Sequence, residues 1–216
     1  MTELTAEAAV ARKNMVDSQV RPNQVSDGRV IAAMRGLARE KFGPPGARVY
    51  ADADVALGAG RYLLAPMVIA RLTQLVLAGD PGTVLVIGAG AGYGAAILAE
   101  AGCVVTALES EASLDTGARP AGVTRVNGRL VDGWPQGGPY DAILIEGAVP
   151  KIPAALAGQL GASGRLVAIL ADGNGPTGLG RAVVARPSGH GFAVAQMFDC
   201  TARVIPEFMP APGFVF

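Results

Sequence analysis

The chain has 216 residues, of which 50% are hydrophobic, 17% charged and 5% aromatic, and its mean hydropathy is +0.37. Lysine plus arginine and aspartate plus glutamate both total 18, so the formal net charge is zero. This excludes a disordered chain, which combines low hydrophobicity with high net charge, and it excludes the basic footprint of a protein that lives on nucleic acid or an anionic membrane. The length predicts one domain, residues 1–216, with a helical region and loop over 1–80 and a ligand-binding sheet over 81–216. Cys103 and Cys200 stand far apart without Cys or His neighbours. That is neither a zinc pattern nor a disulfide framework, and two buried thiols in a reducing compartment are expected. Glu3 and Glu7 do not suit a basic-then-apolar leader. The expected setting is cytoplasmic.

In chain order, Thr5 to Val20 is Ala-rich with scattered charges and predicts a helix that stops before Pro22. Asp27 to Lys41 places Val30, Met34, Leu37 and Ala38 on one stripe, a second helix. Phe42-Gly43-Pro44-Pro45-Gly46 ends it. Residues 47–64 read as loop. Pro66 opens a third helix at the favoured first position, with Met67, Val68, Leu72, Leu75 and Val76 on its apolar face and Gly79 as C-terminal cap.

From Thr83 strands alternate with helices. Thr83–Ile87 is a continuous apolar run, as in a central parallel strand. Gly88 to Gly92 is a turn and Tyr93 to Ala101 a helix. The uncharged stretch 81–99 is long enough to raise a membrane span. Its five glycines, and its change from β-branched to Ala-rich, predict strand, turn and helix instead. Further strands are expected at Val104–Leu108, Thr124–Val126, Tyr140–Ile145 and Gly164–Leu170, with a helix at Pro153–Leu160. Arg181–Arg186 and Phe192–Val204 suggest an antiparallel ending. The class is α/β, a mostly parallel central sheet flanked by helices with right-handed crossovers.

Gly88-x-Gly90-x-Gly92 follows a strand and opens a helix, the context that gives a glycine motif meaning. Glycine turns the backbone sharply and lets a ligand approach without a Cβ in the way. Glu109 ends the second strand, 21 residues after Gly88, where a carboxylate accepts from ribose hydroxyls. Together they predict a site for an adenosine-containing cofactor above Gly88–Gly92. No Gly-Lys pair occurs, which excludes a P-loop. A dinucleotide site prefers Gly-x-Gly-x-x-Gly, and Gly94 weakens that distinction. The tighter spacing suits S-adenosylmethionine, which has no phosphate.

Six segments in order resemble the protein-L-isoaspartate O-methyltransferase family. They are Arg29 to Met34 followed by Arg39-Glu40-Lys41-Phe42, then Gly60 to Pro66, Leu85 to Tyr93, Gly128 to Trp134, Tyr140 to Pro153, and Gln159 to Val167. The resemblance implies a Rossmann-like class I methyltransferase sheet with an N-terminal helical extension. It also implies S-adenosylmethionine as cofactor and a protein or peptide carboxylate, the isoaspartyl group of damaged proteins, as acceptor. Carried over position by position, it places Gly88, Ala89, Gly90, Gly92, Tyr93, Glu109, Arg129 and Glu146 around the cofactor. It assigns no catalytic residue, because the chain departs from the pattern where chemistry occurs. Leu64 stands at the family's active-site serine, and leucine makes no hydrogen bond. Tyr62 replaces a threonine, Arg129 replaces an acid near the adenine end, and Glu146 replaces the threonine closing the fourth strand. Residues 110–122, with Gly117, Pro120 and Gly122, are too short and broken for a crossover helix. Lost or altered isoaspartyl activity is expected.

Other residues carry less. His190, the only histidine, lies in a turn, so an imidazole metal site is not expected. Trp134 is read as packing. The apolar tail from Pro206 to Phe216 is expected to cover part of this domain or a partner subunit, which leaves an oligomer open. Two alternatives to a methyltransferase remain: an inactive methyltransferase-like binding protein, and a nicotinamide oxidoreductase, disfavoured by the glycine spacing. Arg129 is expected to meet the adenine or to swing to Glu109, the alternatives being a side chain that points into solvent or one that pairs with Glu146.

Overall fold

The computed structural model describes residues 3–115, 120–173, 177–189 and 191–209. Helix α1 (Glu3–Met15) runs into a wide turn at Val16–Val20 and a tight one at Arg21–Asn23. Helix α2 (Gly28–Gly36) is capped by Asp27, whose side chain accepts from the Arg29 amide. It is shorter than the apolar stripe predicts. Gly36, a poor helix former, ends it, Leu37 is extended, and Arg39–Phe42 makes a separate 3-10 turn. The reason lies in Arg39, which is fully buried and donates from Nε to the Val49 carbonyl and from Nη2 to the Leu64 carbonyl, both at 2.6 Å.

Residues 47–64, expected as loop, contain a hairpin of β1 (Val55–Gly58) and β2 (Arg61–Leu63). Its turn uses positive φ at Ala59 (50°) and Gly60 (69°). Helix α3 spans Pro66–Leu77 with Pro66 in its first turn, as predicted. The left-handed residue after it is Asp80 (φ 46°), not Gly79. A Cβ at Gly79 would stand 2.6 Å from Arg165 Nη2, so the Arg165 guanidinium rests on this glycine.

The sheet follows with β3 (Thr83–Ile87), β4 (Val104–Glu109), β5 (Val123–Asn127), β6 (Tyr140–Val149), β7 (Leu160–Ala171), β8 (Thr177–Ser188) and β9 (Gly191–Arg203). The spatial order is β5-β4-β3-β6-β7-β8-β9, parallel through β7 and antiparallel for the last two strands. Helix α4 (Tyr93–Glu100) lies between β3 and β4, so the uncharged stretch is strand, turn and helix. Among the described residues no helix is long and apolar enough to cross a membrane.

The large apolar cluster joins the helices to one sheet face. A second, around Ile143, Ile145, Leu156 and Leu166, covers the other. There the expected helix at 153–160 is a six-residue 3-10 turn, Ala154–Gln159. Between β4 and β5 the described residues hold only the short turn Ala112–Leu114, in keeping with a trimmed crossover. Trp134 packs half-buried on this second cluster. Cys103 and Cys200 are buried free thiols.

Candidate functional site

The chain leaves β3 toward β4 on one side and reaches β6 on the other, so a crevice opens at the carboxyl ends of β3 and β6, the usual ligand position in such sheets. The glycine turn lies there, with φ of 70° at Gly88, 53° at Gly90 and 94° at Gly92. Four of its five amides are already used. Gly88 and Ala89 donate to the Leu108 carbonyl at 3.0 and 3.2 Å, and Gly92 donates to Ala89 at 2.7 Å. The Gly90 amide donates to Glu109 Oε2 at 2.8 Å. A pyrophosphate needs such amides free. The geometry therefore suits a cofactor without phosphate.

Glu109 is 1% exposed at the end of β4. Its Oε1 accepts from the Ser110 amide at 2.8 Å and the Glu111 amide at 3.2 Å. Three amides thus hold the carboxylate against the glycine turn. The Arg125 guanidinium adds a bond from Nη2 to the Gly90 carbonyl at 2.7 Å.

The cation on Glu109 is Arg61 of the hairpin, not Arg129. Arg61 Nε lies 3.2 and 3.3 Å from the two Glu109 oxygens, and its side chain is 3% exposed. Arg61 Nη2 also donates to Ser110 Oγ at 3.0 Å and to Glu207 Oε1 at 2.7 Å. Glu207 further accepts from the Ser110 hydroxyl and, at 3.3 Å, from the Leu130 amide. Burial raises the Glu207 carboxyl, but the Ser110 hydroxyl and Arg61 outweigh it and hold the group below its usual range.

Glu207 reaches this place because the chain turns back after β9. Val204 pairs with Ala148, and the Ile205 amide donates to the Ala148 carbonyl at 2.9 Å. Ile205 then fills the space beside two glycines: a Cβ on Gly147 would stand 2.6 Å from its Cγ1, and one on Gly88 would stand 3.0 Å from its Cδ1. The tail as far as Met209 is therefore spent on this chain's own crevice. Residues 210–216 and His190 lie outside the described residues.

Arg129 corrects the sequence expectation. Its side chain is 79% exposed and meets Asp132 at 3.3 Å. Starting the short turn Leu130–Asp132 aims it outward, so it pairs with neither Glu109 nor Glu146. Tyr93 is also placed differently. Its ring is fully buried, edge-on to Phe42 at 5.2 Å and under the Arg39 guanidinium at 4.7 Å.

Glu146, late in β6, is 6% exposed. Burial pushes its carboxyl up to about 8, against the Gly94 amide and the Arg39 guanidinium, while Glu109 adds to the rise. Its Oε2, like Tyr93 Oη and Arg39 Nη1, has no hydrogen-bond partner among the described residues. Leu64 is 2% exposed, and Tyr62 lies under the Arg203 guanidinium at 4.9 Å. Among the described residues there is no metal-holding cluster.

Sequence reasoning found Gly88, Ala89, Gly90, Gly92, Glu109 and Glu146 at one end of the sheet, and the structure brings them together. It missed Arg61, Ser110, Glu207 and Gln159. Gln159 grips the 128–134 loop, accepting from the Trp134 amide at 2.8 Å and donating to the Asp132 carbonyl at 2.7 Å. Arg61, the one charged residue within Gly60–Pro66, was the one available signal.

A parallel sheet that reverses order beside a glycine turn, with an acid ending the neighbouring strand and two antiparallel strands at the far edge, defines a Rossmann-like class I methyltransferase fold. Comparison with known proteins agrees. The family model of protein-L-isoaspartate(D-aspartate) O-methyltransferase matches residues 10–177. A protein-L-isoaspartate O-methyltransferase of Methylorubrum extorquens is 36% identical over 185 residues, 82% of this chain and 81% of that one. One from Methanoculleus marisnigri is 38% identical over 166 residues, 73% and 76% of the two chains. In structure, a putative protein-L-isoaspartate O-methyltransferase of Plasmodium falciparum in complex with S-adenosyl-L-homocysteine aligns with a TM-score of 0.74 at 16% identity, covering 92% of this chain and 97% of that one. The chain belongs to the protein-L-isoaspartate(D-aspartate) O-methyltransferase family, and its cofactor is S-adenosylmethionine.

Proposed function

We propose that this chain transfers a methyl group to a protein or peptide carboxylate of the isoaspartyl type, with the cofactor held by Gly88, Ala89, Gly90, Gly92 and Glu109 in a single domain. The observation that carries this reading is the buried Glu109 carboxylate fixed against Gly90 at 2.8 Å, an acceptor set where a ribose meets a glycine turn. The residues fit the group: a carboxylate for hydroxyls, three glycines that allow close approach once the turn is uncovered, and amides that are mostly already used and so not reserved for phosphate. When bound, S-adenosylmethionine supplies an electrophilic methyl on a sulfonium.

This chain's part is positioning. A carboxylate acceptor is already ionised at neutral pH, so no base is required, and alignment alone lowers the barrier by several kcal/mol. Leu64 stands where the family pattern has a hydroxyl, and its side chain is buried among apolar groups. A missing oriented hydrogen bond costs roughly 100- to 1000-fold in rate. Two free buried cysteines suit a reducing, cytoplasmic setting.

The test is transfer of labelled methyl to isoaspartyl and aspartyl versions of one peptide. The expected result is labelling of the isoaspartyl peptide only, roughly 100- to 1000-fold slower than by a relative with serine at the Leu64 place. Equal labelling of both peptides overturns the acceptor assignment.

A further inference from the structure

The groups expected to meet the cofactor's nucleoside side are occupied by this chain. Arg61 holds Glu109, with Nε 3.2 and 3.3 Å from its oxygens, and Glu207 holds the Leu130 amide at 3.3 Å. Arg61 Nη2 and Glu207 Oε1 join the two at 2.7 Å. Ile205 lies against Gly88 and Gly147, and Leu57 of β1 lies over Gly90, where a Cβ would stand 3.1 Å from its Cδ1. Pro206 is seated on Gly60, whose Cβ would stand 2.5 Å from its Cγ. Hairpin and tail thus both reach the glycine turn and touch each other there.

We propose that Arg61 and Glu207 form a self-inhibitory clasp, which closes the hairpin tip and the Ile205–Phe208 turn over the cofactor site and must part before adenosine can enter. The proposal rests on the cofactor assignment above. The charges explain why the clasp is metastable. One guanidinium serves two carboxylates, Glu109 at 2% side-chain exposure and Glu207 at 32%. Glu109 keeps three amide donors if Arg61 leaves, so its charge stays satisfied in an open state. Glu207 reaches solvent with a short swing of an already part-exposed side chain. A ribose that hydrogen-bonds to Glu109 takes the place of Arg61 Nε, and binding is then reduced by the fraction of molecules that are closed.

The test uses S-adenosylhomocysteine as probe, titrated calorimetrically. Glu207→Ala removes half the clasp outside the glycine turn and is expected to tighten binding about tenfold, as for a site open in about one molecule in ten. A second variant locks the clasp. Pro206 Cβ lies 3.9 Å from a Cβ built on Gly60, within the span of a disulfide. Gly60→Cys with Pro206→Cys is expected to lose binding at least 100-fold when oxidised and to regain it on reduction, and the buried Cys103 and Cys200 do not interfere. Thermal unfolding of both redox forms shows that they are folded. Unchanged affinity on reduction, or in Glu207→Ala, overturns the clasp and leaves the cofactor assignment standing. Absence of saturable binding by wild type, Glu207→Ala and the reduced double variant together overturns both.

Discussion

Glu146 lies directly on Gly94: a methyl group at Gly94 would overlap Glu146 Oε2 and stand 2.9 Å from its Cδ. The acid late in β6 is accommodated only because the second residue of α4 has no side chain. Gly94→Ala is expected to destabilise the fold by about 1–3 kcal/mol, the usual cost of overpacking. In a Glu146→Thr background the same change is expected to cost much less, because the shorter side chain no longer meets the new methyl. Urea denaturation of the four proteins of that cycle gives the coupling directly.

The raised Glu146 carboxyl makes stability depend on pH. Its value is about 8 in the folded chain against an ordinary 4.5. Between those limits the folded state binds a proton that the unfolded state has released. Stability therefore falls as pH rises through that window, by at most about 1.4 kcal/mol per unit. Glu146→Gln is expected to flatten the profile. Denaturation midpoints at three pH values from 5 to 8 check it, and a wild-type midpoint that rises with pH contradicts it.

Arg61 and Glu109 are both almost wholly buried. Arg61→Met is expected to cost about 1.5 kcal/mol, because Glu109 loses one charge-assisted partner but keeps its three amide donors. Combining it with Glu109→Gln is expected to recover part of that loss. A double change whose cost equals the sum of the singles argues that the two side chains are not energetically linked.

Gly90→Asp is expected to abolish S-adenosylhomocysteine binding, by placing a charged side chain between the turn and Leu57. Saturable binding that survives it puts the site elsewhere. Arg129→Asp is expected to leave the dissociation constant unchanged within about twofold, as befits an exposed pair with Asp132.

What was legible in the chain was what local rules determine. Thr83–Ile87, the Gly88–Gly92 turn and Glu109 follow from an apolar run, a glycine spacing and the length of one βαβ unit. The hairpin at Val55–Leu63 was hidden because its strands have four and three residues and its turn places Ala59, not a customary turn residue, at positive φ. The helix expected at 153–160 has the right composition, but Gln159 is drawn inward to the 128–134 loop, and the segment tightens to a 3-10 turn. Arg61 and Glu207 lie 146 residues apart, and no periodicity encodes a contact at that distance. Arg129 misled because an arginine at a family acid's place looks like a replacement in the site, whereas the backbone there aims the side chain outward.

The return of the chain after β9 has a consequence for synthesis. Arg61, the glycine turn, Glu109 and Leu130 are all made before Ile205 and Glu207, so a growing chain assembles the β3–β6 crevice with the hairpin alone to cover it. During that interval Gly88 and Gly147 face the surroundings in place of Ile205, and the Leu130 amide lacks its carboxylate. A small ligand that enters the crevice in that interval competes with the turn made afterwards.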